Sequence, residues 1–562
     1  MGQREAHLSR LPAGRFDILV VGGGITGAGV ARDAAHRGLQ VALVEQGDLA
    51  YGTSSRSSKL IHGGLRYLEQ GQFSLVFESL TERRVLMDIA PHLVQPLPFL
   101  FPSYRGEGRP AAVLDLGMWL YDGLSLFRSP HLHQRLKRGE VATREPALRQ
   151  EGLTAAQLYY DCATDDARLT LETALDAAQA GAVIGTWTRL ERFVHDDRRR
   201  VVGAVVRDRL GGASWSIEAG AVVNATGPWT DTTRALALGR VEKPLLRPTL
   251  GVHIVVDRSR LPVRQAVVLL HPRDERILFA IPWGERTVLG TTDTDWAGDP
   301  EQVQADAADV RYLLDAAAVF FPDARLQAQD VIATWAGLRP LVGDGSGAAS
   351  QVSREHQVLV EADGLVTVAG GKLTTYRRMA AEVVDRAVDV LLLAGWRRER
   401  PRPAATDQMP LPGGVGWPED DDRSRVARQA REASGGRLDD DTALLLADTY
   451  GMLSVDVAEL ACRRPELAER ILPDRPEVRA QVEWAVTREL AARLEDVLAR
   501  RLPLLLRDQD QGLGAAEPVA RQMAALLAWD EARTSEEVTR YRAEVARSRA
   551  WREGWAQDPA DG

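Results

Sequence analysis

Two glycine-rich turns, more than three hundred residues apart, constrain this chain more than any other feature. The first closes the run Asp17-Ile-Leu-Val-Val-Gly22-Gly-Gly24-Ile25-Thr26-Gly27, an apolar strand that enters G-x-G-x-x-G and then a helix. Gly22 allows a tight turn, Gly24 lets backbone approach a pyrophosphate, and Gly27 lets the helix pack on the strand. Free N–H groups at the helix start then attract phosphate. A second strand, residues 40–45, ends in Glu45, 18 residues after Gly27, where a carboxylate accepts hydrogen bonds from a ribose.

The second turn, Gly370-Gly371-Lys372-Leu373-Thr374-Thr375-Tyr376, again follows a short apolar strand and opens a helix. Two such turns at opposite ends of one domain predict a dinucleotide gripped from both sides, as FAD is and NAD usually is not. After the first βαβ unit comes a loop dense in hydroxyls and glycines, residues 52–67, with Thr53, Ser54, Ser58 and Lys59 beside apolar Leu60, Ile61 and Leu65. A partly buried polar loop must find hydrogen-bond partners, and a cofactor supplies them.

A chain of 562 residues exceeds what one core organises, and its 45% hydrophobic content is that of a globular protein. The net charge of −9 gives no general attraction to nucleic acid. Cys162 and Cys462 are the two cysteines, which predicts free thiols in a reducing compartment and no metal site. No apolar leader core precedes the first strand and no run reaches the length of a membrane span, so the expected location is cytoplasmic. Of 70 basic residues only Lys59, Lys137, Lys243 and Lys372 are lysine. Where lysine survives such a bias a compact ammonium is needed, and Lys59 and Lys372 both flank the cofactor turns.

Residues 74–90 read as a helix, and Asp165-Asp166 opens another. Residues 245–295 alternate like antiparallel strands that wall a substrate cavity. The expected organisation is an interleaved nucleotide and substrate unit over residues 1–400, the substrate part mainly about 90–160 and 245–330. A linker at 401–422 and a helical region at 423–550 follow, with an amphipathic helix across 481–507.

The segments S-S-K-L-I-H-G-G-L-R-Y-L-E (57–69), V-N-A-T-G-P-W (223–229), H-I-V-V (253–256), G-T-T-D (290–293), G-L-R-P-L (337–341) and G-G-K-L-T-T-Y-R (370–377) occur in this order. Together they resemble the aerobic, FAD-dependent glycerol-3-phosphate dehydrogenase family, from about residue 15 to about residue 400 and more weakly beyond. The resemblance implies an α/β fold: a Rossmann-like, glutathione-reductase-like FAD domain interleaved with a mixed β-sheet substrate domain, plus an all-α C-terminal cap. It implies oxidation of sn-glycerol 3-phosphate to dihydroxyacetone phosphate, with electrons passed to membrane quinone. Arg339, Arg354 and Lys372 match positions used around the substrate, with Arg66, Tyr67 and His253 nearby. Expected cofactor contacts are Gly22, Gly24, Ile25, Thr26, Gly27, Glu45, Thr53, Ser54, Ser58, Lys59, Leu60, His62, Ala225, Gly227, Gly337, Gly371, Lys372, Leu373 and Thr374.

Local chemistry points the same way, since a phosphate dianion needs several cations, preferably including an arginine fork. His253 is the first candidate to take the C2 hydroxyl proton, because an imidazole titrates near neutrality; His62 is the second. Lys372 either binds substrate or holds negative charge on the cofactor. Val252 stands where the family often has a small polar residue, so the support of His253 is expected to differ. Two other readings stay open: an oxidase of the same fold acting on glycerol 3-phosphate with oxygen or on an amine or amino acid, and a non-catalytic flavin-binding subunit. Peripheral membrane contact, placed on the arginines near residues 491–507 or else absent there because that stretch is cap core, and a homodimer complete the expectations.

Overall fold

A computed structural model describes residues 3–69, 71–239, 241, 243–343 and 355–556, with Arg66, Glu69 and Ala556 described by backbone alone. Two sheets organise it. In the first, Val366–Ala369, Ser214–Asn224, Arg15–Val21, Val41–Val44 and Val183–Gly185 lie side by side in parallel, with Gln357–Val360 antiparallel at one edge. Strands of this kind are buried on both faces and read as unbroken apolar runs, as Ile18–Val21 and Val41–Val44 do. The helices Ile25–His36, Asp166–Gln179 and Tyr376–Leu393 share the core on one face through Ala31, Ala174 and Val384.

Among the described residues the second sheet has ten strands drawn from several parts of the chain, including Gln95–Tyr104, Leu153–Ala163, Leu246–Asp257, Arg286–Gly290 and Val331–Val342. It reaches past the expected limit at residue 330, because Val331–Val342 pairs along Leu246–Asp257 over nearly its whole length. That register places Trp335 beside His253, Gly337 beside Gly251 and Arg339 beside Thr249. Side chains alternate across a strand, so these residues share one face. Leu250, Val252, Ile254, Ala336 and Leu338 fill the core on the other.

Beyond residue 422 the chain is helical. Two expectations change here. The segment read as a linker is pinned, since Arg32 donates to the carbonyls of Thr406 (3.2 Å) and Met409 (2.6 Å), and Leu411 is fully buried. The stretch 481–507 is no continuous amphipathic helix: Arg479–Arg488 ends, Leu490 takes φ +60°, and a π-helical turn spans Asp496–Arg501.

Candidate active site

Four parallel strands of the first sheet end at one cleft of about 670 Å³, where Gly22, Glu45, Ala225 and Gly370 form the edge. The carboxyl ends of parallel strands are where nucleotide folds bind ligands. Opposite stands the face of the second sheet that carries His253, Gly337 and Arg339. The glycines there are required by space. A Cβ on Gly337 would lie 2.7 Å from the Arg56 carbonyl oxygen, and one on Gly251 would lie 2.5 Å from the Arg339 guanidinium.

At the first turn, Gly22 has φ +112°, and a Cβ on Gly27 would sit 1.9 Å from the Gly22 carbonyl oxygen. Gly27 therefore packs helix on strand and does not itself reach the cleft, whereas Gly24, Ile25 and Thr26 line it. The N-cap of the Ile25–His36 helix is Gly24, which has no side chain to cap it; Ser54 takes the Ile25 N–H, and the positive end of the helix faces the cleft. Glu45 also lines the cleft, its Oε2 accepting from Gly23 N (2.6 Å) and its Oε1 from Gly47 N (2.8 Å). Burial, opposed by these bonds, raises its pKa.

The hydroxyl-rich loop uses its side chains on protein partners. Ser54 Oγ accepts from Ile25 N (2.9 Å), Thr53 Oγ1 donates to the Leu338 carbonyl (2.6 Å), and Ser58 Oγ meets His253 Nε2 at 2.8 Å. Leu60 and His62 line the cleft beside them. Lys59 does not. Its ammonium turns inward to Asp166 Oδ1 (2.5 Å), between the rings of Trp283 and Trp335, so the expected cofactor contact is a buried ion pair. A buried cation needs a partner more than a solvated one does, and Asp166 supplies it.

Three expected reaction residues, His253, Arg339 and Lys372, line the cleft. The ring of His253 stacks on Trp335 (4.8 Å between centroids) and lies over Gly290, where a Cβ would come within 2.1 Å of it. Its support thus comes from Ser58, Trp335 and Gly290, while Val252 faces the opposite core. The expectation that His253 titrates near neutrality fails: burial first, then the nearby Arg339 and Lys59 cations, hold its pKa well below the ordinary value. The imidazole is therefore neutral. Arg339 is held by Asp293 Oδ1 (3.0 Å), Thr291 Oγ1 (3.0 Å) and the Thr292 carbonyl (3.1 Å).

Lys372 reaches Ser79 Oγ (3.2 Å), and its ammonium sits 3.8 Å from the centroid of the Tyr67 ring. Tyr67 itself is buried behind Lys372 and is not part of the cleft wall. Gly227, Gly371, Leu373 and Thr374 line the wall, with Thr374 Oγ1 tied to the backbone of His62 (3.1 and 3.2 Å). Arg66 opens the helix Arg66–Glu69, its side chain lying outside the description, and Arg354 lies outside the described residues. The cleft also contains Arg56, Arg189 and Met379, which the motifs do not reveal. Arg56 stood inside the hydroxyl-rich loop, and its retention as a charge in a partly buried loop was the available signal.

The sequence pattern of the family described as FAD dependent oxidoreductase matches residues 17–377, and that described as C-terminal domain of alpha-glycerophosphate oxidase matches residues 404–534. Glycerol-3-phosphate dehydrogenase 2 of Mycobacterium tuberculosis is 40% identical over 548 residues, covering 97% of this chain and 90% of that protein. The chain belongs to the FAD-dependent glycerol-3-phosphate dehydrogenase family. Aerobic glycerol-3-phosphate dehydrogenase of Staphylococcus haemolyticus is 36% identical over 95% of each chain. The solved glycerol-3-phosphate dehydrogenase of Bacillus halodurans, complexed with FAD, superposes with a TM-score of 0.81 at 33% identity, covering 97% of this chain and 98% of that one.

For a member of this dehydrogenase family the residues present fit the flavin nucleotide. A helix start whose N-cap is glycine, a turn that tolerates no Cβ, and a carboxylate at the end of the second strand all belong to the cleft. His253, with its Nδ1 buried and without a hydrogen-bond partner, lines the same cleft.

Proposed function

We propose that the protein oxidises sn-glycerol 3-phosphate to dihydroxyacetone phosphate with FAD and passes the electrons to a membrane quinone. The observation that carries this reading is that His253, Arg339 and Lys372, from three distant segments, line the same cleft as the nucleotide-type turn. When bound, FAD supplies the acceptor for the hydride leaving C2. Arg339, oriented by Asp293 and Thr291, and Lys372 attract the phosphate dianion. His253, already neutral, accepts the proton of the C2 hydroxyl. Arg66 and Arg354 are assigned to the substrate by resemblance alone. The N-terminal interleaved unit of residues 1–400 and the helical cap of 423–550 are the proposed functional division.

Oxygen is the second candidate acceptor, because the carboxyl-terminal region matches a pattern named for an oxidase. Purified yellow protein should bleach under anaerobic conditions with glycerol 3-phosphate, and not with glycerol or D-alanine. Bleaching by D-alanine would move the site to the amino-acid oxidase class. Reoxidation by a quinone analogue faster than by air would separate dehydrogenase from oxidase.

A further inference from the structure

The Lys59–Asp166 ion pair lies behind the cleft wall, yet it shapes the loop segment that lines the wall. Lys59 takes φ +55°, a conformation that side chains disfavour and that persists only where its surroundings over-determine it. Asp166, fully buried at the start of the helix Asp166–Gln179, provides that constraint. Its Oδ1 accepts from Lys59 Nζ (2.5 Å) and Ala167 N (2.9 Å), and its Oδ2 from Ser57 N (2.9 Å) and Ser57 Oγ (2.7 Å). Lys59 N in turn donates to Ser57 Oγ (3.0 Å), and the Lys59 carbonyl accepts from Thr164 N (2.9 Å). Ser57 and Lys59 are thus both tied to one carboxylate, and Ser58 between them meets His253 Nε2 at 2.8 Å.

His253 depends on this segment twice. Among the described residues Ser58 is the hydrogen-bond partner of its ring, because Nδ1 is buried and has none. Which nitrogen of a neutral imidazole carries the proton is set by the hydrogen bonds of the ring, so the tautomer follows from where Ser58 is held. The plane of the ring is set by the stacked Trp335. That indole donates from Nε1 to the Ser57 carbonyl (3.2 Å) and lies 5.6 Å from the Lys59 ammonium. A buried ion pair is weak ground for stability, since apolar side chains of similar volume often serve as well or better. Here it supplies direction.

We propose that Lys59 and Asp166 are positioning residues for His253: together they hold Ser58 and Trp335 so that the ring keeps one tautomer and one orientation toward the cleft. The proposal rests on the reading of His253 as the acceptor of the C2 hydroxyl proton, and it names the groups that ready the ring for that task. Neither residue of the pair lines the cleft, so the pair acts through the ring and through its two holders.

The test uses full-length flavoprotein. Lys59→Met with Asp166→Asn removes both charges and leaves neither buried alone, so this variant should fold with wild-type flavin content. In protein whose histidine rings carry heavy nitrogen, the magnetic resonances of His253 are assigned by their absence from His253→Gln. They should report one tautomer in wild type and exchanging tautomers in the double variant. Anaerobic flavin reduction at saturating glycerol 3-phosphate should slow by roughly a hundredfold, while the half-saturating concentration changes less than about threefold. Added to His253→Gln, the same two substitutions should slow reduction no further. An unchanged single tautomer in the double variant, or a loss that adds in full to that of His253→Gln, overturns the proposal. Should the double variant not fold, Ser57→Ala removes only the hydroxyl that links Asp166 to Lys59 N. Exchanging tautomers and about threefold slower reduction are then expected, and a single unchanged tautomer overturns the proposal. If His253→Gln reduces flavin at the wild-type rate, the base reading fails, and the tautomer alone decides whether the pair positions the ring.

Discussion

His253 shows how a single residue is set by everything packed around it. Its ring is enclosed by Trp335, Ser58 and the bare backbone of Gly290, with the Arg339 and Lys59 cations nearby. The folded protein therefore holds it neutral, whereas in the unfolded chain it takes a proton near pH 6.5. As the pH falls through that value the unfolded state gains a proton that the folded state does not, so stability drops on acidification. The melting temperature of wild type should fall between about pH 7 and pH 5 more steeply than that of His253→Gln. Parallel curves would show that the ring is protonated in the folded state. The strand that carries this residue was legible from the alternation of residues 245–295, but Trp335 lies past the expected limit at 330, and the pairing that stacks it on His253 leaves no local period. The partner of Lys59 was not legible either. Asp166 lies 107 residues further on, and no spacing announces that a lysine in a hydroxyl-rich loop turns inward to meet it.

The same limit operates on whole elements. The helices Phe73–Ile89 and Asp166–Gln179 were visible in the sequence, the second from the acids at its amino end. The stretch 481–507 showed leucines every four residues beside arginines, the pattern of a surface helix. Its arginines have an internal purpose. Arg501, 2% exposed, pairs with Asp48, and Arg500 bridges Asp48 (2.5 Å) and Asp496 (2.8 Å). This cluster ties the π-helical turn to the loop just after Glu45, so the candidate membrane surface there is cap core. The placement fails because a buried aspartate hundreds of residues away neutralises charge that sequence alone assigns to solvent. Arg501→Ala should lower unfolding stability by about 3–5 kcal/mol, since Asp48 loses a buried partner. Its binding to anionic vesicles should match wild type under conditions where it remains folded. A variant with normal denaturant midpoint and weakened vesicle binding would return this stretch to the surface.

At the scale of the molecule the cap is not an appendage. Val482, Leu494, Leu498, Tyr541 and Val545 of the helical region share one continuous core with Val255, Ile281, Ile332 and Trp335 of the second sheet. Trp335 in turn stacks on His253 at the cleft, and the cleft joins the second sheet to the first. Composition and length signalled several units. They could not show that the units share side chains, because a core between distant segments leaves no local period in the sequence. Such continuity predicts that the protein unfolds in one calorimetric transition. Flavin binds the folded state and spans both sheets, so its removal should lower that transition without splitting it. A hundredfold excess over the dissociation constant contributes about 2.7 kcal/mol. A chain ending at residue 403 would uncover Ile281, Ile332 and Trp335, and it should be recovered as aggregate without flavin. If that shortened chain is soluble and yellow, or if the intact holoprotein melts in two steps, the cap folds independently and its contact with the substrate sheet is a docking surface between separate domains.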